Sequence, residues 1–270
     1  MNSIREAVHA LFLTGKIGGF LGYREIGGHL LPYLFSPEDL HELASLISHD
    51  PIPRYPLPKI LVEITRAHPG VRLGLLAREC DQRALQELIK RNQINPEKVL
   101  ILPLACCRSD LGEPTQCSYL CSPTSNGNRP PFSPREIGQD PAGVEPDVLN
   151  LEDRFQRWKE EFAKCIKCYG CRNVCPVYVC KECSLEDEDL IPAGQIPPDL
   201  SFHLVRATHL AGFCIDCGLC EEACPAGIPL RLFYRGGNQI VEKLFGYKPG
   251  KEGDRSPFHC TGLVEKGNLP

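Results

Sequence analysis

Two runs of cysteine are the residues best placed to do chemistry. Cys165, Cys168, Cys171 and Cys175 follow the spacing CxxCxxCxxxC with Pro176 next, and Cys214, Cys217, Cys220 and Cys224 repeat it with Pro225 next. Three closely spaced thiolates can cap three corners of one 4Fe-4S cubane, while the chain carries the remote fourth cysteine of each run across to the other cluster. The spacing therefore assigns Cys165, Cys168, Cys171 and Cys224 to one 4Fe-4S cluster and Cys214, Cys217, Cys220 and Cys175 to a second. Zinc sites or disulfides are the alternative. Zinc sites usually join two separated CxxC pairs, and disulfides need no triplet followed by Cys-Pro.

Further thiols lie outside these runs. Val71 to Ala77 and Val99 to Leu104 are short apolar segments, and between them Asp81 caps a helix with Ala84, Leu85, Leu88 and Ile89 on one face. That is a βαβ unit, whose parallel strands end at the same edge of the sheet. Cys80 follows the first strand, and Cys106 and Cys107 follow the second, so they should be close in space. Cys117 and Cys121 come shortly after. Cys80, Cys106, Cys117 and Cys121 are thus candidate ligands of a third 4Fe-4S cluster, with Cys107, Cys180 and Cys183 as alternative ligands. Buried free cysteines packing as small hydrophobes are the bland alternative. The CxxC of Cys180 and Cys183 could also be a redox-active pair, and Cys260 stands alone.

The elements that must position these thiols can be read in order. Ser3 and Glu6 have capping-box spacing for a helix over 3–14. The glycine-rich run Ile17 to Leu31 lacks GxGxxG and reads as a hairpin. Ser36 and Pro37 start a helix to about Ser48, and Lys59 to Ala67 reads as another. Residues 122–150, dense in proline, glycine, serine and asparagine, read as a linker. Beyond it come helices from Leu151 to Lys164, with an apolar stripe of Phe155, Trp158 and Phe162, then over 201–210 and 230–244. The expected organisation is an α/β domain with a parallel sheet over 1–121, a linker over 122–150, and a mostly α-helical bacterial-type two-cluster ferredoxin domain over 151–245. A tail over 246–270 is expected to be either disordered or laid across a partner subunit.

At 270 residues and 42% hydrophobic content the chain can build two cores. A net charge of -4 argues against nucleic-acid binding. Sixteen cysteines with no expected secretory signal point to metal ligation in a reducing compartment, hence a cytoplasmic protein. The apolar runs fall short of the roughly 18 residues that span a bilayer, so no direct membrane insertion is expected.

RECDQRALQELIKRNQI over 78–94, followed by KVLIL over 98–102, resembles the beta-subunit family of formate dehydrogenase and of the deazaflavin-coenzyme (coenzyme F420) hydrogenases. KCIKCYGCRNVCP over 164–176, AGFCIDCGLCEEACP over 211–225 and GIPLR over 227–231 resemble the dicluster module fused to such subunits, and CKEC at Cys180 to Cys183 fits that version. The resemblance implies an iron-sulfur electron-transfer subunit, itself non-catalytic, in a larger anaerobic complex of formate dehydrogenase, hydrogenase or heterodisulfide reductase-like subunits. Relatives can hold FAD and reduce a deazaflavin. The short N-terminal domain and the lack of a clear flavin fingerprint count against FAD here. A flavin-bearing oxidoreductase subunit, reducing a deazaflavin or nicotinamide, is the alternative.

Overall fold

The computed structural model describes residues 4–48, 53–104 and 150–258. Cys106, Cys107, Cys117, Cys121 and Cys260, and all of the expected linker except Asn150, lie outside the described residues. The fold is an N-terminal α/β half followed by a helical, cysteine-rich half.

The glycine-rich run forms a hairpin of β1 (Gly19–Ile26) and β2 (His29–Phe35), antiparallel with Ile26 opposite His29. Its two-residue loop, Gly27 and Gly28, has φ of 59° and 79°. Two positive φ values in succession are what the tight primed hairpin turn needs, and glycine adopts them without strain. β1 then pairs in parallel with β4 (Leu73–Ala77), and β4 pairs in parallel with β5 (Val99–Pro103). The sheet order is β2-β1-β4-β5, with the short β3 (Leu46–Ile47) also on β1. All five residues of β4 are buried, as suits a central strand covered on both faces. Helix α1 (Ile4–Leu13) supplies Val8 and Phe12 to the core, α2 (Leu57–Ala67) supplies Leu57, Leu61 and Val62, and α3 (Glu79–Lys90) supplies Leu85 and Leu88.

The second half consists of α4 (Leu151–Phe162), the one-turn α5 (Gly170–Asn173), α6 (Leu200–Leu210), the one-turn α7 (Leu219–Glu222) and α8 (Leu230–Phe245). Asn150 and Asp199 cap α4 and α6 by accepting from Asp153 N and Ser201 N, both at 2.9 Å. Trp158 and Phe162 each pack 4.8 Å from the Phe233 ring, so the aromatic stripe is core. Phe155 is the exception and stays exposed beneath Lys159.

Three local expectations are corrected. Residues 36–48 form not an α-helix but a 3-10 segment, Pro37–Ser45, broken at Asp39, because Leu46 and Ile47 are drawn into the sheet opposite Arg24 and Tyr23. Helix α3 begins before Asp81: Arg78 is its N-cap, and Asp81 reaches back from the first turn to accept from Arg78 N at 3.0 Å. The segment after α8 turns at Gly246 (φ 62°) and folds back onto α3 of the same chain, where the Tyr247 hydroxyl donates to the Glu87 carboxylate at 2.8 and 2.9 Å. Through Phe258 the segment packs against its own chain, with the Phe245 and Phe258 rings 5.7 Å apart.

Candidate metal centre

The two cysteine runs share one backbone. In each run the third and fifth residues have positive φ: Lys167 (52°) and Tyr169 (58°) in the first, Asp216 (55°) and Gly218 (81°) in the second. Each loop then enters a one-turn helix, α5 or α7. Left-handed residues of this kind turn successive N–H groups to one side and so build an anion-binding concavity. Here the N–H groups meet sulfur. Lys167 N donates to Cys165 Sγ at 3.4 Å and Gly170 N to Cys168 Sγ at 3.5 Å. At the matching positions Asp216 N donates to Cys214 and Leu219 N to Cys217. A β-carbon on Gly170 would stand 3.4 Å from Cys168 Sγ and 3.2 Å from Ala223 O, so the first loop passes close to the end of the second run.

Three of the four left-handed residues are not glycine, and each is tied down. Lys167 Nζ donates to Pro192 O at 2.7 Å, and Tyr169 OH to Leu185 O at 3.1 Å. Asp216 accepts from Arg231 at 2.7 Å and from Arg235 at 3.0 Å. Residues outside the motifs thus offset the cost of their conformation.

These loops bring the thiols together in two groups. Cys165, Cys168, Cys171 and Cys224 line one cavity, closed on its inner side by Phe202, His203, Ile228 and Leu230. Cys175 instead faces Cys214, Cys217 and Cys220. Each quartet therefore takes three thiols from one run and its fourth from the other.

Burial pushes the Cys171 thiol up to about 11 and those of Cys214 and Cys217 up to about 12, and it raises Cys220 well above the ordinary thiol value too. By surface area Cys214, Cys217 and Cys220 are only partly buried, but their sulfur ends are enclosed, and it is the sulfur that titrates. Such thiols ionise only beside a strong positive charge, which a bound metal supplies outright. Among the described residues no three Cys, His, Asp or Glu side chains converge tightly enough to ligate one ion. Thiols ringing a cavity in fours suit a cubane held by four cysteines. The donor set fits iron-sulfur clusters.

Cys80 sits in the first turn of α3, buried, and with Ala84 belongs to the apolar cluster of Cys171, Cys175 and Cys224 rather than to the core of the sheet. Burial and then Asp81 push its thiol up, and it lies within electrostatic reach of Arg54 and Cys217. The structure thus places Cys80 beside the second quartet. Cys180 is exposed, and Cys183 is partly buried and hydrogen-bonded by the Arg172 and Tyr178 side chains.

The α/β half grips both motif loops by their carbonyls. Arg54 donates to Cys217 O at 2.6 Å, Arg83 to Ile215 O at 3.3 Å, and Lys59 to Asn173 O at 2.8 Å. Sequence reasoning passed over these cations, and also over His203, Arg206 and Tyr234, which are buried against the thiols. A signal for Arg206 was present: Phe202, Arg206 and Leu210 recur every fourth residue, so a helix must bury the arginine on the face it shares with Phe202 and Leu210.

No family model matches the chain. Over 113 residues, 40% of this chain and 30% of the relative, it is 40% identical to the F420-dependent formate dehydrogenase subunit beta of Methanocaldococcus jannaschii. Over 111 residues, 40% of this chain and 28% of the relative, it is 41% identical to the F420-dependent formate dehydrogenase 1 subunit beta of Methanococcus maripaludis. The match spans under a third of the length of these curated relatives. Over two fifths of its own length, then, the chain is related to beta subunits of F420-dependent formate dehydrogenases.

Proposed function

We propose that this chain is an iron-sulfur electron-transfer subunit of a multi-subunit redox complex of the formate dehydrogenase or heterodisulfide reductase-like type. One 4Fe-4S cluster is assigned to Cys165, Cys168, Cys171 and Cys224, and a second to Cys214, Cys217, Cys220 and Cys175. The observation that carries this reading is the exchange of fourth thiols between the two runs, which ties both quartets into one folded unit. When bound, such clusters supply one-electron redox couples. The protein's part is to fix the thiols, shed water from them and direct N–H donors at them. Lys167, Gly170, Asp216 and Leu219 do the last. Arg54, Arg83 and Lys59 hold the loop carbonyls, so that the loops keep that orientation.

A third cluster held by Cys80, Cys106, Cys117 and Cys121 belongs to the same proposal, supported by the position of Cys80 beside Cys217. Anaerobically purified protein should carry about eight irons per chain, or about twelve with a third cluster, with matching sulfide. It should also give an EPR signal after dithionite reduction. Zinc in place of iron, with no such signal, would overturn the reading. Flavin released on denaturation would point instead to an oxidoreductase subunit with its own substrate.

A further inference from the structure

We propose that Arg206 sets the reduction potentials of both clusters together, by holding a positive charge and unused N–H donors in the wall between the two thiol quartets. The inference rests on the two-cluster reading above. Arg206 projects from the buried face of α6 and is 5% exposed. Its Nε and Nη2 are enclosed and have no hydrogen-bond partner among the described residues. Around it stand Cys175, Tyr234, Cys171 and Cys220, with Cys214 also within electrostatic reach, so it addresses one thiol of the first quartet and three of the second. The Tyr178 ring lies 5.5 Å from its guanidinium carbon. No carboxylate is paired with it among the described residues. Tyr234 of α8, 1% exposed, meets Cys171, Cys220 and Cys175 with a hydroxyl that likewise lacks a partner.

A cation buried with open donors is among the costliest arrangements a protein core can hold, and neutral thiols do not compensate it. Eight ligating thiolates do. The N–H groups then have anionic sulfur to donate to, and the charge has a counter-charge on either side. Taking up one electron makes a cluster one unit more negative, and a fixed positive charge beside it favours the reduced form. The effect is large because the site is enclosed and the effective dielectric low. Lys59 and Arg54 also approach the thiols, but they face Cys175 and Cys217 respectively, both in the second quartet, and each already donates to a loop carbonyl. Arg206 differs in reaching both quartets with donors to spare.

The test is an EPR-monitored redox titration of the full chain, purified anaerobically as wild type, Arg206→Met and Arg206→Lys. In Arg206→Met, with iron content as in wild type, both couples should become harder to reduce by at least tenfold in the reduction equilibrium, a fall of 59 mV for a one-electron couple. Arg206→Lys keeps the charge and should shift each couple by less than half as much. Potentials unchanged in Arg206→Met would overturn the inference. A shift of one couple alone would overturn the shared role. Should Arg206→Met assemble no clusters, wild-type protein carrying 15N-arginine decides: arginine nitrogen coupled to the reduced clusters, and lost in Arg206→Lys, supports the inference, while no coupling in wild type refutes it. Wild-type protein without iron or a dithionite-induced signal refutes the two-cluster reading itself, a different outcome from unchanged potentials.

Discussion

Replacing Glu87 with alanine should free the segment that follows α8 from helix α3. The Glu87 carboxylate is fully buried and accepts from Tyr247 OH at 2.8 Å, Gly250 N at 2.7 Å and Lys90 Nζ at 2.9 Å. Breaking a buried ion pair by deleting one partner costs about 3–5 kcal/mol, because the other charge is stranded. Lys90 keeps Tyr247 OH at 3.1 Å and is 12% exposed at its side chain, so the lower end, about 3 kcal/mol, applies. Tyr247→Phe removes the hydroxyl's bonds with Glu87, Lys90 and Ser256 but leaves Glu87 held by Lys90 and Gly250 N, so it costs less, about 1.5 kcal/mol. Burial and then Glu87 push the Tyr247 hydroxyl up, so it remains a donor at any working pH. Lys251, with its side chain 69% exposed, is a trypsin site once the segment lifts, whereas Lys248 precedes Pro249 and is not cut. Where opening is fast relative to cleavage, cutting tracks the open population, so Glu87→Ala should be cut there about 100-fold faster and Tyr247→Phe about tenfold faster. The exposed Glu188→Gln serves as control and should match wild type. If Glu87→Ala is cut at Lys251 no faster than wild type, the carboxylate does not hold the segment and the energetic argument fails.

The exchange of fourth thiols predicts how double substitutions combine. Cys224→Ser with Cys165→Ser should lose no more iron than either alone, about four atoms, whereas Cys224→Ser with Cys214→Ser should lose about eight. An unchanged iron count in Cys80→Ser would sink the third cluster. Burial holds the His203 imidazole down at about 4, against 6.5 when free. A depressed folded value means that stability is fully present above pH 6.5 and is lost as the pH falls towards 4, by about 3 kcal/mol in all. His203→Leu should remove that component, measured as the difference between the two unfolding-versus-pH curves. In the sheet, a β-carbon on Gly74 would stand 2.5 Å from Phe20 Cδ2 and 3.1 Å from Ile17 Cδ1. Gly74→Ala should therefore destabilise by about 1–3 kcal/mol in chemical denaturation, through overpacking of a fully buried strand.

What could be read from the sequence was what short-range spacing dictates. The Gly27-Gly28 hairpin, the parallel pair β4 and β5 joined by α3, and the helices over 151–162, 200–210 and 230–245 all follow from local periodicity and turn chemistry. Local rules failed where a distant partner won. The 36–48 segment has good helix-start residues, but β1 offers Leu46 and Ile47 a sheet edge. The tail is rich in proline, glycine and charge, the composition of a loose end. A single carboxylate more than 150 residues away captures Tyr247, and Gly250 fits there as glycine, with φ of 86° and a β-carbon position 2.7 Å from Arg83. At the thiols the same division holds. Spacing says which cysteines share a loop, but it is silent on Arg54, Lys59 and Arg83, because their carbonyl partners lie in the other half of the chain.

These cross-chain contacts make the two quartets unequal. Helix α3 lays Cys80 and Ala84 against the thiol-bearing half, buries Leu85 and Leu88 in the sheet core, and ties Glu87 to the returning tail. The second quartet is thereby covered by the α/β half through Arg54, Arg83 and α3, and its sulfurs are enclosed. The first quartet keeps an open edge, with Cys168 exposed and Ile166 beside it 52% exposed. The first quartet is thus the more open to solvent and the second the more covered, so the pair has an outer and an inner end. The half-chain resembling a free-standing ferredoxin is consequently not free-standing here. Without residues 53–104 the Cys217 and Ile215 carbonyls lose their cations and the second quartet loses its cover, so the α/β half is structurally part of the inner site.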